Sequence, residues 1–104
     1  MGLFGASKAD PKKQVTEMTG VMRRETRAIE RQIRDIERQQ DKTKAMLKQS
    51  AKKGDKAACR ILAMEIVNSK KAVSRMYQSK AQLNSVMVDI NLYLNLVNCF
   101  FVSR

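Results

Sequence analysis

The sequence predicts an all-α fold: a long antiparallel two-helix hairpin, coiled-coil-like, preceded by a short mobile amino-terminal leader. Three observations lead there. Four glycines and one proline in 104 residues leave too little turn chemistry for a hairpin-rich β fold. Two tyrosines, three phenylalanines and no tryptophan are too few rings for a compact aromatic core. A composition 43% hydrophobic and 30% charged is too apolar for wholesale disorder and suits long amphipathic helices. At this length the chain is one domain, divided into a leader over 1–10 and a hairpin over 11–104.

Helix one is predicted over about 11–52. Pro11 is tolerated at a helix's first turn, and Asp10 before it is a candidate N-cap. The apolar positions Val15, Met18, Met22, Ile29, Ile33, Ile36 and Leu47 recur at three-four spacing, interrupted by Glu25, Gln40 and Thr43. Lys52-Lys53-Gly54-Asp55 punctuates the chain: Gly54 suits a left-handed C′ position, and Asp55 suits the N-cap of a second helix.

Helix two is predicted over about 55–100. Its seam is stricter: Leu62, Ile66, Ser69, Val73, Met76, Lys80, Leu83, Met87, Ile90, Leu94, Val97 and Phe101 follow a four-three rhythm. With so short a connection, the nearest partner is helix one folded back antiparallel. Met22, Ile29, Ile33 and Ile36 are then expected to pack against Val73, Met76, Leu83 and Met87. Placing Leu47 near Ala58 makes paired positions sum to about 105, so that Ile36 opposes Ser69, Ile29 opposes Met76, and Glu25 faces Lys80. Each helix would be about 60 Å long at 1.5 Å per residue. Beyond residue 86 the second helix is apolar on nearly every side, a surface that calls for a covering partner.

Charge separates the possible functions. With 21 Lys plus Arg against 10 Asp plus Glu, the chain carries +11. On a wheel of 100° per residue, Arg24, Arg27, Arg31, Arg34, Arg38 and Lys42 fall opposite the helix-one seam, while Glu30, Glu37 and Asp41 take one flank and Glu17 and Asp35 the other. A solvated face laced with i,i+4 pairs would be the bland explanation. A line of arginines, whose planar forks grip phosphate at two points, points instead to a polyanion. Leu3 and Phe4, adjacent large apolar residues, suit shallow insertion at a bilayer interface. The basic stripe carries no aromatic stacking platform, which argues against nucleic acid. An anionic membrane surface is therefore the expected partner, touched by Leu3, Phe4, Arg24, Arg27, Arg31, Arg34, Arg38 and Lys42.

Other classes are set aside on composition. With no histidine, no glycine-rich phosphate loop, and Cys59 and Cys99 forty residues apart, the sequence offers no catalytic constellation, cofactor cradle or metal-ligand set. Both cysteines are expected to be small hydrophobes in a reducing cytosol. Met1 to Ser7 lacks the basic n-region and apolar run of a signal peptide. Ala6 replaces the hydroxyl residue that an amino-terminal myristoylation pattern needs. Asp89, Asn91, Asn95 and Asn98 interrupt the most apolar window, Val86 to Val102, so no spanning helix is predicted.

Several short blocks then stand in a familiar order: Met1-Gly2-Leu3-Phe4-Gly5, Arg31-Gln32-Ile33-Arg34-Asp35-Ile36, Ala51-Lys52-Lys53-Gly54, Ser69-Lys70-Lys71-Ala72-Val73-Ser74, Ser79-Lys80-Ala81 and Asn84-Ser85-Val86. Over about residues 1–86 the chain resembles the amino-terminal half of ESCRT-III subunits, the charged multivesicular body proteins. From Met87 onward it departs from the family's charged pattern. The resemblance implies a basic hairpin that polymerises with itself and with other ESCRT-III subunits. It also implies a cytoplasmic protein, peripheral on late endosome membranes, that takes part in multivesicular body formation, vacuolar transport and membrane scission. Family members carry a further acidic, autoinhibitory half that ends in a motif for a disassembly AAA ATPase. These 104 residues contain neither, so the cationic ridge is expected to be available without activation. The alternatives are a basic coiled-coil rod that binds nucleic acid and a coiled-coil adaptor without a polyanion.

Overall fold

A computed structural model describes the backbone of residues 11–102 and the side chains of residues 11–100. Leu3, Phe4 and the Asp10 cap lie outside the described residues, as does the side chain of Phe101. Two helices, α1 (Pro11–Lys52) and α2 (Lys56–Val102), form the predicted hairpin, with no strand among the described residues.

The reversal between them has a specific chemistry. Gly54 adopts φ 74°, the left-handed region that costs an L-residue with a Cβ but not glycine. The Gly54 amide donates to the Ala51 carbonyl at 3.1 Å, and the Asp55 amide donates to the Ser50 carbonyl at 3.0 Å. These are the two bonds of a Schellman motif, and they satisfy carbonyls that the end of α1 would otherwise leave open. Asp55 then turns to α2: its Oδ1 accepts the Ala58 amide at 3.1 Å, the geometry of an N-cap. Lys52, in the last turn of α1, sits where a cation complements the negative end of the helix dipole.

Contacts divide the chain into two units, one of residues 28–79 and one of residues 11–27 with 80–102. In the Ala28–Ser79 unit, α1 turns Ile29, Ile33, Ile36, Gln40, Thr43, Leu47 and Ser50 inward, with Ile33 the most deeply buried at 3% exposure. From α2 come Leu62, Ile66, Ser69, Val73 and Met76, of which Leu62 is buried and the others half-buried. Ile36 and Ser69 bound one groove together with Gln40 and Glu65, so residues whose numbers sum to 105 do approach each other. In the other unit, α1 turns in Val15, Thr19, Met22 and Thr26, and α2 turns in Lys80, Leu83, Met87, Ile90, Leu94 and Val97.

The helix-one seam differs from the expected one at two places. Met18 is exposed and Thr19 buried; Glu25 is exposed and Thr26 half-buried. The inward positions 15, 19, 22, 26, 29, 33, 36, 40, 43, 47 and 50 thus step by four and three without a break, the spacing that keeps one side of a helix on its partner. Threonine can occupy this seam because its hydroxyl is satisfied locally: Thr19 donates to the Val15 carbonyl at 2.6 Å, Thr26 to Met22 at 2.8 Å, and Thr43 to Gln39 at 3.0 Å. Only the methyl group then needs apolar neighbours, and the desolvation cost of the oxygen is offset.

Candidate functional site

The surplus of positive charge is concentrated in the Ala28–Ser79 unit, where thirteen Lys and Arg stand against six Asp and Glu. Arg31, Arg34, Arg38 and Lys42 are all exposed on α1. Steps of three and four residues put them along one face, away from Ile29, Ile33, Ile36 and Thr43, which are turned inward. Packing thus dictates the placement of charge. Once the heptad is buried, residues half a turn away have nowhere to go but solvent.

A carboxylate restrains this face at Arg38. Asp35 Oδ1 accepts a hydrogen bond from Arg38 Nη2, an i,i+3 ion pair with both side chains about two-thirds exposed. Among the described residues no carboxylate pairs with Arg31 or Arg34, whose guanidinium groups stand in solvent. A solvent-exposed pair such as Asp35–Arg38 contributes little to stability, roughly 0–1 kcal/mol. It does lower the positive potential at that end of the row.

Lys48, Lys52, Lys53, Lys56 and Arg60 are also exposed, close to the reversal, with Asp55 among them. A wheel drawn on one helix could not bring these together, because they come from both sides of the turn. The signal was available in the high density of lysine around Gly54. Lys56 and Arg60 border a shallow groove of about 430 Å³ whose other walls are Ala51, Gly54 and Cys59.

In the unit of residues 11–27 and 80–102, Arg24 and Arg27 are exposed one turn apart on α1, with Arg23 also exposed. Arg24 lies back along its own helix, its Nη1 3.7 Å from where a Cβ at Gly20 would sit. No carboxylate among the described residues pairs with Arg23, Arg24 or Arg27. The same unit exposes Val88, Leu92, Tyr93, Leu96 and Phe100 on α2.

The packing residues chosen from the sequence fall as follows. Ile33 is buried, while Met22, Ile29, Ile36, Val73, Met76, Leu83 and Met87 are half-buried. Among the described residues no group of three or more His, Cys, Asp or Glu could hold a metal ion, and no helix is long and apolar enough to cross a membrane.

Comparison with known proteins gives a consistent result. The Snf7 family model matches residues 17–95. Charged multivesicular body protein 3 of Xenopus tropicalis is 53% identical over 91 residues, covering 86% of this chain and 41% of that protein. The Danio rerio protein of the same name is 45% identical over 98 residues, covering 93% and 44%. That of Rattus norvegicus is 48% identical over 89 residues, covering 85% and 40%. The chain spans about two-fifths of the length of these curated relatives.

Proposed function

We propose that this chain, which belongs to the Snf7 family, is a non-enzymatic ESCRT-III subunit in multivesicular body sorting that lies peripherally on anionic endosomal membrane and assembles with itself and with related subunits. The observation that carries the membrane part is the exposure of Arg31 and Arg34, which have no carboxylate partner among the described residues and lie on the side of α1 away from its buried heptad. Arg24 and Arg27 add exposed guanidinium groups in the other unit. Arginine forks match the phosphate oxygens of lipid headgroups, and each basic residue near an anionic leaflet contributes about 1 kcal/mol. Leu3 and Phe4 would supply an apolar contact below the headgroups. Assembly is supported by exposed apolar residues of α2 such as Val88 and Leu92, which the hairpin leaves uncovered.

Flotation with vesicles of graded anionic lipid content and salt tests this reading. The wild-type chain should float with anionic vesicles and progressively less as salt rises, because exposed charges are screened over about 8 Å at physiological ionic strength. Arg27→Glu with Arg31→Glu should abolish flotation while leaving helical content intact. Binding that ignores salt, or that survives the double reversal, overturns the electrostatic mechanism. Loss of RNA association with vesicle binding unchanged would favour the nucleic-acid alternative.

A further inference from the structure

Near its end α2 carries a second heptad row, distinct from the one turned toward α1. Val86, Asp89, Tyr93, Leu96 and Phe100 step by three, four, three and four residues, and all five are exposed. At about 100° per residue this row lies about 100° round α2 from the inward seam of Leu83, Met87, Ile90, Leu94 and Val97. The hairpin uses the inward seam and leaves the outer row exposed. We propose that the outer row pairs with the same row of a second copy of this chain, the two α2 ends running antiparallel with Tyr93 opposite the partner's Leu96.

Spacing, charge and area favour this occupant. Heptad spacing is what one helix presents to another. An isologous contact sets a patch against its own rotated image, so a patch of one sign repels itself. That excludes the arginine face of α1, and α2 around Lys70, Lys71 and Arg75. From Ile90 to Val102 the sequence has no charged residue, so two copies can meet there without opposing like charges. Asp89 sets the direction: a parallel pair would place it against its own copy. In the antiparallel pair it lies opposite the partner's Phe100, and the two Asp89 copies are about 16 Å apart along the axis, beyond the screening length of about 8 Å. Tyr93 and Phe100, aromatic side chains of roughly 150–250 Å², are more than 60% exposed; with Val86, Val88, Leu92 and Leu96 the exposed apolar area is on the order of 600 Å² a side. Two such faces make about 1,200 Å², the lower end of specific interfaces, so the dimer is weak and reversible. Beside the row, Pro11, Tyr93, Leu96, Val97 and Phe100 line an apolar groove of about 630 Å³, a hole into which the partner's side chains can pack.

This inference rests on the self-assembly proposed for the chain and gives it a surface. Sedimentation velocity of the full chain, without vesicles, should show a reversible monomer–dimer equilibrium in the micromolar range. Leu96→Asp should raise the dissociation constant more than about ten-fold, with the helical circular dichroism signal unchanged because Leu96 is an exposed position. Ile61→Asp, equally exposed on α2 but in the Ala28–Ser79 unit, should leave the equilibrium as it is. Direction is read in a Cys59→Ser, Cys99→Ser background. There, Asp89→Cys mixed with Phe100→Cys should cross-link under mild oxidation, and Asp89→Cys alone should not. A dimer that survives Leu96→Asp, or is lost equally with Ile61→Asp, overturns this inference and leaves self-assembly standing. Asp89→Cys cross-linking to itself overturns the antiparallel pairing. A chain that stays monomeric in solution overturns the dimer; if Leu96→Asp then also abolishes flotation, the outer row belongs to the bilayer.

Discussion

The Thr19 hydroxyl donates a 2.6 Å hydrogen bond to the Val15 carbonyl one turn earlier on α1, and both side chains are buried. This bond makes a polar residue serviceable at a position where the heptad calls for an apolar one. The hydroxyl brings its own acceptor, and the partner helix meets the methyl group.

Stability should therefore track the heptad and not hydropathy. Thr19→Val leaves no donor unsatisfied and should be neutral or stabilising by up to about 1 kcal/mol. Met18→Ala, next to it but 47% exposed, should change stability by less than about 0.5 kcal/mol. Glu25 is exposed, so a double-mutant cycle with Lys80 should show coupling below about 0.5 kcal/mol. Urea unfolding monitored by circular dichroism measures all three. A loss of more than about 1 kcal/mol for Met18→Ala would contradict a seam that runs through Thr19.

A second adjacent pair provides the same contrast on α2. Leu62 is 8% exposed and Ile61 is 63% exposed. Leu62→Ala should cost about 2–3 kcal/mol, through lost burial and the cavity left behind, and Ile61→Ala less than about 0.5 kcal/mol.

At the reversal, Gly54→Ala should destabilise by about 1 kcal/mol. Nothing lies within 4 Å of the added Cβ, so the cost comes from the left-handed backbone and not from a clash. Gly54→Asn should cost less than Gly54→Ala, because asparagine tolerates that region better. Asp55→Ala should cost about 1 kcal/mol by removing the acceptor for the Ala58 amide. Denaturant midpoints of the three variants test the ranking.

On the basic face, the Asp35–Arg38 pair makes the arginines unequal. Arg34→Gln should weaken association with anionic vesicles by about five-fold, corresponding to about 1 kcal/mol, and Arg38→Gln by less. Asp35→Asn should strengthen association, since it removes a negative charge and releases Arg38. Co-sedimentation titrations at fixed salt resolve these differences, and equal losses for the two arginines would show that the pair has no influence.

The features legible in the sequence were those where residue type and position agree. Gly54-Asp55 announced the reversal because few residues suit a left-handed C′ succeeded by a cap, and the backbone bonds at both residues obey that logic. The α2 seam was legible because nearly all of its inward positions are aliphatic or methionine. On α1 the pattern misled: Met18 looks apolar and Thr19 polar, yet the heptad sets the geometry, and hydropathy carries no trace of a hydroxyl bonded to its own helix. For the basic residues the wheel was adequate, because exposure on a helix is fixed by angle from the seam. It could not foresee the Asp35–Arg38 contact, where a long side chain bends across about 60° of the wheel to reach a flanking carboxylate. Nor could it foresee the cluster around the turn, whose members belong to two helices.

The linker of three residues leaves the reversal without slack. The amides of Lys53, Gly54 and Asp55 are all engaged by carbonyls of the last turns of α1, while the Asp55 carboxylate and carbonyl accept the Ala58 and Cys59 amides of α2. Pivoting at this point would rupture the termini of both helices together. The bend is a rivet, and any opening of the protein has to be sought in the side-chain zipper further along.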